Sequence, residues 1–177
     1  NWMQAWADCM REDGSMPHTA PNPYAAGGGP FWCGFIITAS WQTYLNYGDR
    51  RLLDRYYPYM QQWLEYVAHY TIDGLLKKWP DTSYRNWYLG DWATPVGIDQ
   101  TNPLSVDLVD NCYIAVCYQT MSKIASLLGK ADDSRGYKAK YDALTKRIQE
   151  TFYDAKGNTY ASGTQIDLVY PMLAGVT

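Results

Sequence analysis

The spacing of its breaks constrains this chain more than any other feature. Segments with apolar residues at three- and four-residue intervals are separated by connections at 12–30, 48–49, 72–104, 129–131 and 154–163. Their lengths run long, short, long, short, medium. A tight connection makes the helices it joins antiparallel neighbours, so successive connections fall at opposite ends. All three longer loops therefore gather at one end. The segments that start there, 31–47, 108–128 and 164–177, are the more apolar and run in parallel. Segments 1–11, 50–71 and 132–152 run back outside them with one-sided patterns such as Leu53, Tyr56, Met60, Trp63, Val67 and Tyr70. The expected fold is all-α, a double layer of αα-hairpins with an inner row wrapped by an outer row. Such a row continues as a solenoid or closes into a toroid. No fixed period is present, which disfavours a regular repeat array.

Local signals refine this outline. Trp32, Phe35, Ile36, Ile37, Ala39, Trp41, Tyr44 and Leu45 make the 31–47 segment apolar almost all round, which predicts burial on every side. Pro58 predicts a kink or a restart in the helix that contains it. Ser105 or Asp107 is expected to cap the helix from Leu108, and Thr164 to open the last one. Residue 1 already lies in a helical pattern, and the run Ile166–Ala174 has no closing polar cap. Both ends look cut, so residues 1–177 are expected to form one partial domain.

Composition narrows the function. A net charge of -3 without a Lys/Arg cluster argues against nucleic acid as a partner. No apolar run reaches the roughly 18 residues of a membrane span. Cys9, Cys33, Cys112 and Cys117 lack metal-ligand spacing, and two histidines do not complete a zinc set. They are read as free thiols, with no metal and no cofactor expected. The outlier is 17 Tyr and 8 Trp against 3 Phe. Tyr and Trp combine an apolar face with a polar edge, which suits sugar binding and also amphipathic core walls.

The stretch from Lys78 to Pro95 concentrates that signal, with three tryptophans, two tyrosines and two carboxylates and no helical or strand period. Long irregular loops in compact domains are usually functional. With the other loops it brings His18, Asn22, Tyr24, Trp32, Asp81, Tyr84, Arg85, Trp87, Asp91, Trp92, Asp99 and Gln165 to one mouth. An indole can stack on the C–H face of a pyranose while carboxylates and amides bond its hydroxyls. Trp79 and Trp87 equally suit a role in pinning the loop, and His18 a hydrogen-bonded anchor. Asp8-Cys9-Met10-Arg11-Glu12 imitates a catalytic cluster but reads more simply as a solvated helix end.

The run Asp13-Gly14-Ser15-Met16-Pro17-His18-Thr19-Ala20-Pro21, then Pro30-Phe31-Trp32, resembles bacterial α-L-rhamnosidases, family 78 of the glycoside hydrolases. So do Tyr47-Gly48-Asp49, Tyr57-Pro58-Tyr59-Met60, Gly90-Asp91-Trp92 and Thr164-Gln165. The resemblance implies an (α/α)6 toroid, of which this chain supplies about half. It also implies hydrolysis of terminal α-L-rhamnosides with inversion, by one carboxylic acid and one carboxylate base. The family's acid lies in an Asp-Cys-Pro-x-Arg-x-Glu type motif. Asp8-Cys9-Met10-Arg11-Glu12 lacks the proline, has a different Arg–Glu spacing and abuts the Pro17 loop, so the acid is not transferred to Glu12. The base is expected beyond Thr177. The resemblance leaves no catalytic residue in this chain and gives Trp32 and Trp92, with Asp91 beside the latter, to substrate contact; the loop mouth adds His18 and Trp87 as candidate substrate contacts. Cys33-Gly34 departs from the family's Gly-Asp-like pair after Trp32.

Two classes of function follow. The first is a piece of an inverting α-L-rhamnosidase forming sugar-pocket wall, or of another (α/α)6 glycosidase or lyase. The second is a non-enzymatic helical scaffold that binds carbohydrate or protein. A rhamnose-containing glycan or glycoside is the expected partner, with self-association through an exposed inner face. A bacterial periplasmic, secreted or cytoplasmic setting all remain open.

Overall fold

The computed structural model describes residues 2–22, 26–27, 29–78, 85–86, 88–91 and 103–176. The elements are α1 (Trp2–Cys9), β1 (Ala26–Gly27), α2 (Pro30–Cys33), α3 (Phe35–Tyr47), α4 (Arg51–His69), β2 (Thr71–Ile72), β3 (Leu75–Leu76), β4 (Arg85–Asn86), α5 (Pro103–Leu127), α6 (Ala131–Phe152), β5 (Tyr153–Asp154), β6 (Thr159–Tyr160) and α7 (Gln165–Ala174). Helices α3, α5 and α7 form the inner row, and α1, α4 and α6 the outer row. Side chains stitch the outer row laterally. Arg55 and Tyr56 of α4 donate to Gln4 of α1, while Tyr57 donates to Asp133 of α6 at 2.9 Å.

The short connections carry the expected turn chemistry. Gly48 (φ 66°) closes α3, and Asp49 accepts from the Arg51 amide at 2.9 Å as α4 begins. Gly129 (φ 73°) closes α5, with Gly129 N bonded to Ser126 O and Lys130 N to Ala125 O. This left-handed C-terminal motif favours glycine, which has no Cβ to clash. Helix α5 is the buried one, lined from Leu108 to Ala125 by residues that solvent barely reaches.

Four local expectations need correction. The 31–47 segment divides at Gly34 into α2 and α3, and only one side of α3 is buried (Ile36, Ile37, Ser40). Leu45 is 56% and Tyr47 81% exposed, because α3 meets α4 and α5 on that one side. Helix α4 runs through Pro58 without restarting. Pro58 and Asp54, whose carbonyl loses its donor, both lie on the exposed side, while Tyr56, Tyr57 and Met60 hold the helix against the core. Helix α5 starts at Pro103, before Ser105 and Asp107, and proline at a first helical position forfeits no bond. Helix α7 does end in a cap. Gly175 (φ 69°) donates to Met172 O, Val176 to Pro171 O, and Tyr141 bonds Ala174 O at 2.9 Å.

Gly34 allows a close approach of α3 to both α5 and α4. A Cβ there would lie 2.6 Å from Tyr113, 2.9 Å from Trp63 and 3.1 Å from Cys117 Sγ. Its φ of -72° suits any residue, so overlap alone would penalise a substitution. Gly34→Ala is expected to cost about 1–3 kcal/mol in urea unfolding. Gly136→Ala, on the open face of α6, should gain about 0.5–1 kcal/mol.

Candidate functional site

The three longer loops meet, and close backbone contacts hold them. β1 pairs in parallel with β4, setting Ala26 against Arg85 and Gly27 against Asn86, which joins the first loop to the second. Gly29 (φ 88°) lies where a Cβ would sit 3.2 Å from Tyr88 Cα, so the approach needs glycine twice over. Gly90 rests on α5, its would-be Cβ 3.1 Å from Val106 Cα. Asn111, buried in α5, accepts from Leu76 N at 2.8 Å and donates to Leu76 O at 3.1 Å, anchoring the start of the second loop.

The third loop is tied down by Asp167. This fully buried carboxylate accepts from the hydroxyls of Ser105 (2.7 Å), Ser162 (2.8 Å) and Thr164 (3.0 Å) and from the amides of Ser162 and Thr164. With Thr164 it forms a capping box at the N-terminus of α7, as Thr164 was expected to do. Ser105 carries the same network to the first turn of α5.

At the mouth the aromatic residues fan out from Phe31. Its ring lies 5.4 Å from Trp32, 4.9 Å from Tyr113 and 5.8 Å from Tyr170. The Tyr170 hydroxyl donates to Asp91 Oδ2 at 3.2 Å. Trp32, in α2, and Asp91, in the second loop, are thus linked through Phe31 and Tyr170, and each is half-buried. Cys33 Sγ donates toward the carbonyls of Met16 (3.2 Å) and Pro17 (3.4 Å), which holds the half-buried His18 on the neighbouring loop. Asn22 is half-buried as well, and Gln165 is exposed at the first position of α7. Trp87, Trp92, Tyr24, Trp79, Asp81, Tyr84 and Asp99 lie outside the described residues, and Arg85 is described in its backbone only. Asp8, Arg11 and Glu12 stand in solvent at the end of α1.

Beneath this fan the structure adds a residue that sequence reasoning passed over. Asp110 is 0% exposed, and neither carboxylate oxygen has a hydrogen-bond partner. Burial, then the nearby Asp107, push its carboxyl well above the usual carboxylate range. Asp107 is itself raised by burial, opposed by Lys77 at 3.8 Å. Burial, followed by the carboxyls nearby, also raises the Tyr88 and Tyr170 phenols, so both keep their protons. The available signal was an acid set among Leu108, Val109 and Cys112 in an otherwise apolar run. Tyr88 adopts φ 44° beside it.

Among the described residues, a cleft of about 300 Å³ lies between α4, α5 and α6 and one of about 400 Å³ beside β5, β6 and α7, and neither is lined by Trp32, Asp91, Phe31 or Tyr170. No group of three His, Cys, Asp or Glu among the described residues could hold a metal ion. No helix among them is long and apolar enough to cross a membrane. All four cysteines are free thiols, and burial holds Cys112 up at about 12.

Two substitutions test these buried acids. Asp167→Ala removes all five of the bonds that this carboxylate accepts and should cost on the order of 2–4 kcal/mol of stability. Asp110 binds its proton more tightly folded than unfolded, where a carboxyl titrates near ~3.9. Its presence therefore destabilises the fold increasingly as pH rises above that value. Thermal unfolding of Asp110→Asn should show a gain over wild type that is small near pH 4 and grows toward pH 8.

Comparison with known proteins agrees with this architecture. The sequence matches the bacterial alpha-L-rhamnosidase 6 hairpin glycosidase domain over residues 1–177. It is 24% identical over 157 residues to an alpha-L-rhamnosidase of Alteromonas sp. (strain LOR), covering 81% of this chain and 15% of that protein. The fold superposes on the alpha-L-rhamnosidase of Dictyoglumus thermophilum with a TM-score of 0.83 and 25% identity, over 99% of this chain and 19% of the other. For the Streptomyces avermitilis alpha-L-rhamnosidase, solved with L-rhamnose, the TM-score is 0.78 and the identity 23%, over 99% of this chain and 16% of the other. The chain spans less than a fifth of the length of each of these relatives. Its double layer of hairpins and its match from end to end place the chain in the family of bacterial alpha-L-rhamnosidase six-hairpin glycosidase domains.

Proposed function

We propose that this chain forms part of the sugar-pocket wall of an inverting α-L-rhamnosidase that acts on terminal rhamnosides. The observation that carries the reading is the convergence of Trp32 and Asp91 through Phe31 and Tyr170 at the mouth of a rhamnosidase-family fold. The half-buried indole offers a flat apolar face for the sugar ring. Asp91, which accepts the Tyr170 hydroxyl, presents a carboxylate of the kind that sugar hydroxyls bond. Trp87, Trp92 and His18 complete the proposed contacts. An inverting site needs an acid and a base with room for a water between them. We assign both to sequence outside this chain, consistent with the exposure of Glu12 and its neighbours.

The apolar outer edge of α7 supports reading 1–177 as a partial domain. Leu168 and Val169 are 40% and 42% exposed, and Met172 and Leu173 both 66%, while Asp167, Pro171 and Ala174 on the other side are buried. A stripe of that size is normally covered. A further hairpin in a longer chain would cover it, and self-association would cover it in the isolated one.

Hydrolysis of an aryl α-L-rhamnoside tests the reading. The natural gene product that carries this chain should release rhamnose with inverted anomeric configuration, seen by proton NMR in the first minutes. The isolated 177-residue chain should release none. Turnover by the isolated chain that survives repurification would contradict the placement of the acid and base. In the natural gene product, Trp32→Ala should raise KM about tenfold with a smaller change in kcat. Rates unchanged by Trp32→Ala would remove it from the pocket.

A further inference from the structure

Helix α7 has two unlike sides, and Tyr170 stands between them. Leu168 and Met172 face outward, while Asp167 and Ala174 are buried. Tyr170 is half-buried, and its ring meets Phe31 edge-on at 5.8 Å. Phe31 in turn lies 4.9 Å from Tyr113, whose hydroxyl is 3.1 Å from Thr38 Oγ1. The Tyr170 ring is therefore seated on groups that α2, α3 and α5 hold. One turn earlier, Asp167 ties the start of α7 to Ser105 of α5 at 2.7 Å. Residues spaced as Asp167 and Tyr170 are lie on one face of a helix, so the anchor and the ring share a mount.

The Tyr170 hydroxyl donates to Asp91 Oδ2 at 3.2 Å, across 79 positions of sequence. Asp91 follows Gly90, whose backbone rests on Val106 of α5. That contact fixes where the Asp91 main chain lies, but the side-chain torsions still choose the direction of the carboxylate. A ring without a hydroxyl would make the same contact with Phe31. Packing thus accounts for an aromatic residue at 170 and not for its phenol. Burial, then the charge of Asp91, raises that phenol, so it keeps its proton and donates through neutral pH.

We propose that Tyr170 is a positioning residue, its hydroxyl holding the Asp91 carboxylate in one orientation for the sugar. Tyr170 need not touch the sugar itself. A carboxylate oriented before the sugar arrives does not have to be ordered during binding, which favours affinity. The inference rests on the sugar-pocket reading for the role of Asp91, and on the bond between α7 and the second loop for its geometry.

Steady-state hydrolysis of p-nitrophenyl α-L-rhamnoside by the natural gene product tests it. Tyr170→Phe keeps the ring on Phe31 and removes only the hydroxyl. It should raise KM about fivefold, with kcat changed by less than about twofold. Asp91→Ala should raise KM about tenfold. Adding Tyr170→Phe to Asp91→Ala should bring no further rise, because the hydroxyl then has no carboxylate to hold. Tyr141→Phe is the control for a loosened helix. It removes the hydroxyl that bonds Ala174 O at the other end of α7, and should leave KM unchanged. Three results would each overturn the proposal: a KM unchanged by Tyr170→Phe while Asp91→Ala raises it, a full further rise in the double variant, or an equal rise in Tyr141→Phe. No turnover by the wild type, or a KM unchanged by Asp91→Ala, sinks the sugar reading instead. Thermal unfolding then decides whether Tyr170 holds Asp91. The double variant should melt no lower than Asp91→Ala alone, and additive losses in Tm would overturn the positioning role.

Discussion

Close approach to α5 is the constraint on which the rest of this structure depends. Gly90 comes within 3.1 Å of Val106 Cα, measured from the Cβ it lacks, and Gly34 within 2.6 Å of Tyr113. Asn111 clasps both polar groups of Leu76, and Ser105 reaches Asp167 at the head of α7. Each contact fastens a different segment to the same buried helix. Because α5 is covered along most of its length, its polar side chains must either be satisfied or serve some purpose. Asn111 and Asp167 partners are satisfied, whereas Asp110 has no bond. The mouth is therefore the by-product of how loops attach to α5, and the unsatisfied acid lies directly under it.

The two buried acids illustrate opposite solutions. Asp167 has five donors around it and works as an anchor, joining a capping box to the first turn of α5. Asp110 has none, and burial pushes its carboxyl well above the usual carboxylate range. Replacing it with an isosteric amide should favour the folded state at neutral pH, so stability gives no reason for an acid there.

Much of the fold was legible because helix periods and turn glycines report local physics. Gly48 and Gly129 marked the tight connections, and Thr164 marked a cap that forms with Asp167. The alternation of loop lengths led to Asp91 and Trp32 being expected at one mouth, and Phe31 and Tyr170 link the two. Misreadings arose where tertiary contact overrode a local rule. The apolar pattern of α3 does not tell which residues have a neighbour, so Leu45 was expected inside and lies outside. Pro58 breaks a helix only where packing does not hold it, and three buried residues beside it do. In the site, indoles were visible by composition, but Phe31, Tyr113 and Tyr170 were not, because single aromatic residues in apolar helices look like core. Asp110 was readable in principle, as an acid between Val109 and Asn111, but only the structure shows that nothing pairs with it.

The central claim is that Trp32 and Asp91, fastened to α5 from separate loops, form the wall of a rhamnose pocket. A crystal structure of the natural gene product with L-rhamnose bound tests it most directly. The account predicts the sugar ring against the Trp32 indole, a hydroxyl bonded to Asp91 and the Tyr170 hydroxyl still on that carboxylate. L-rhamnose bound with neither Trp32 nor Asp91 in contact would contradict it.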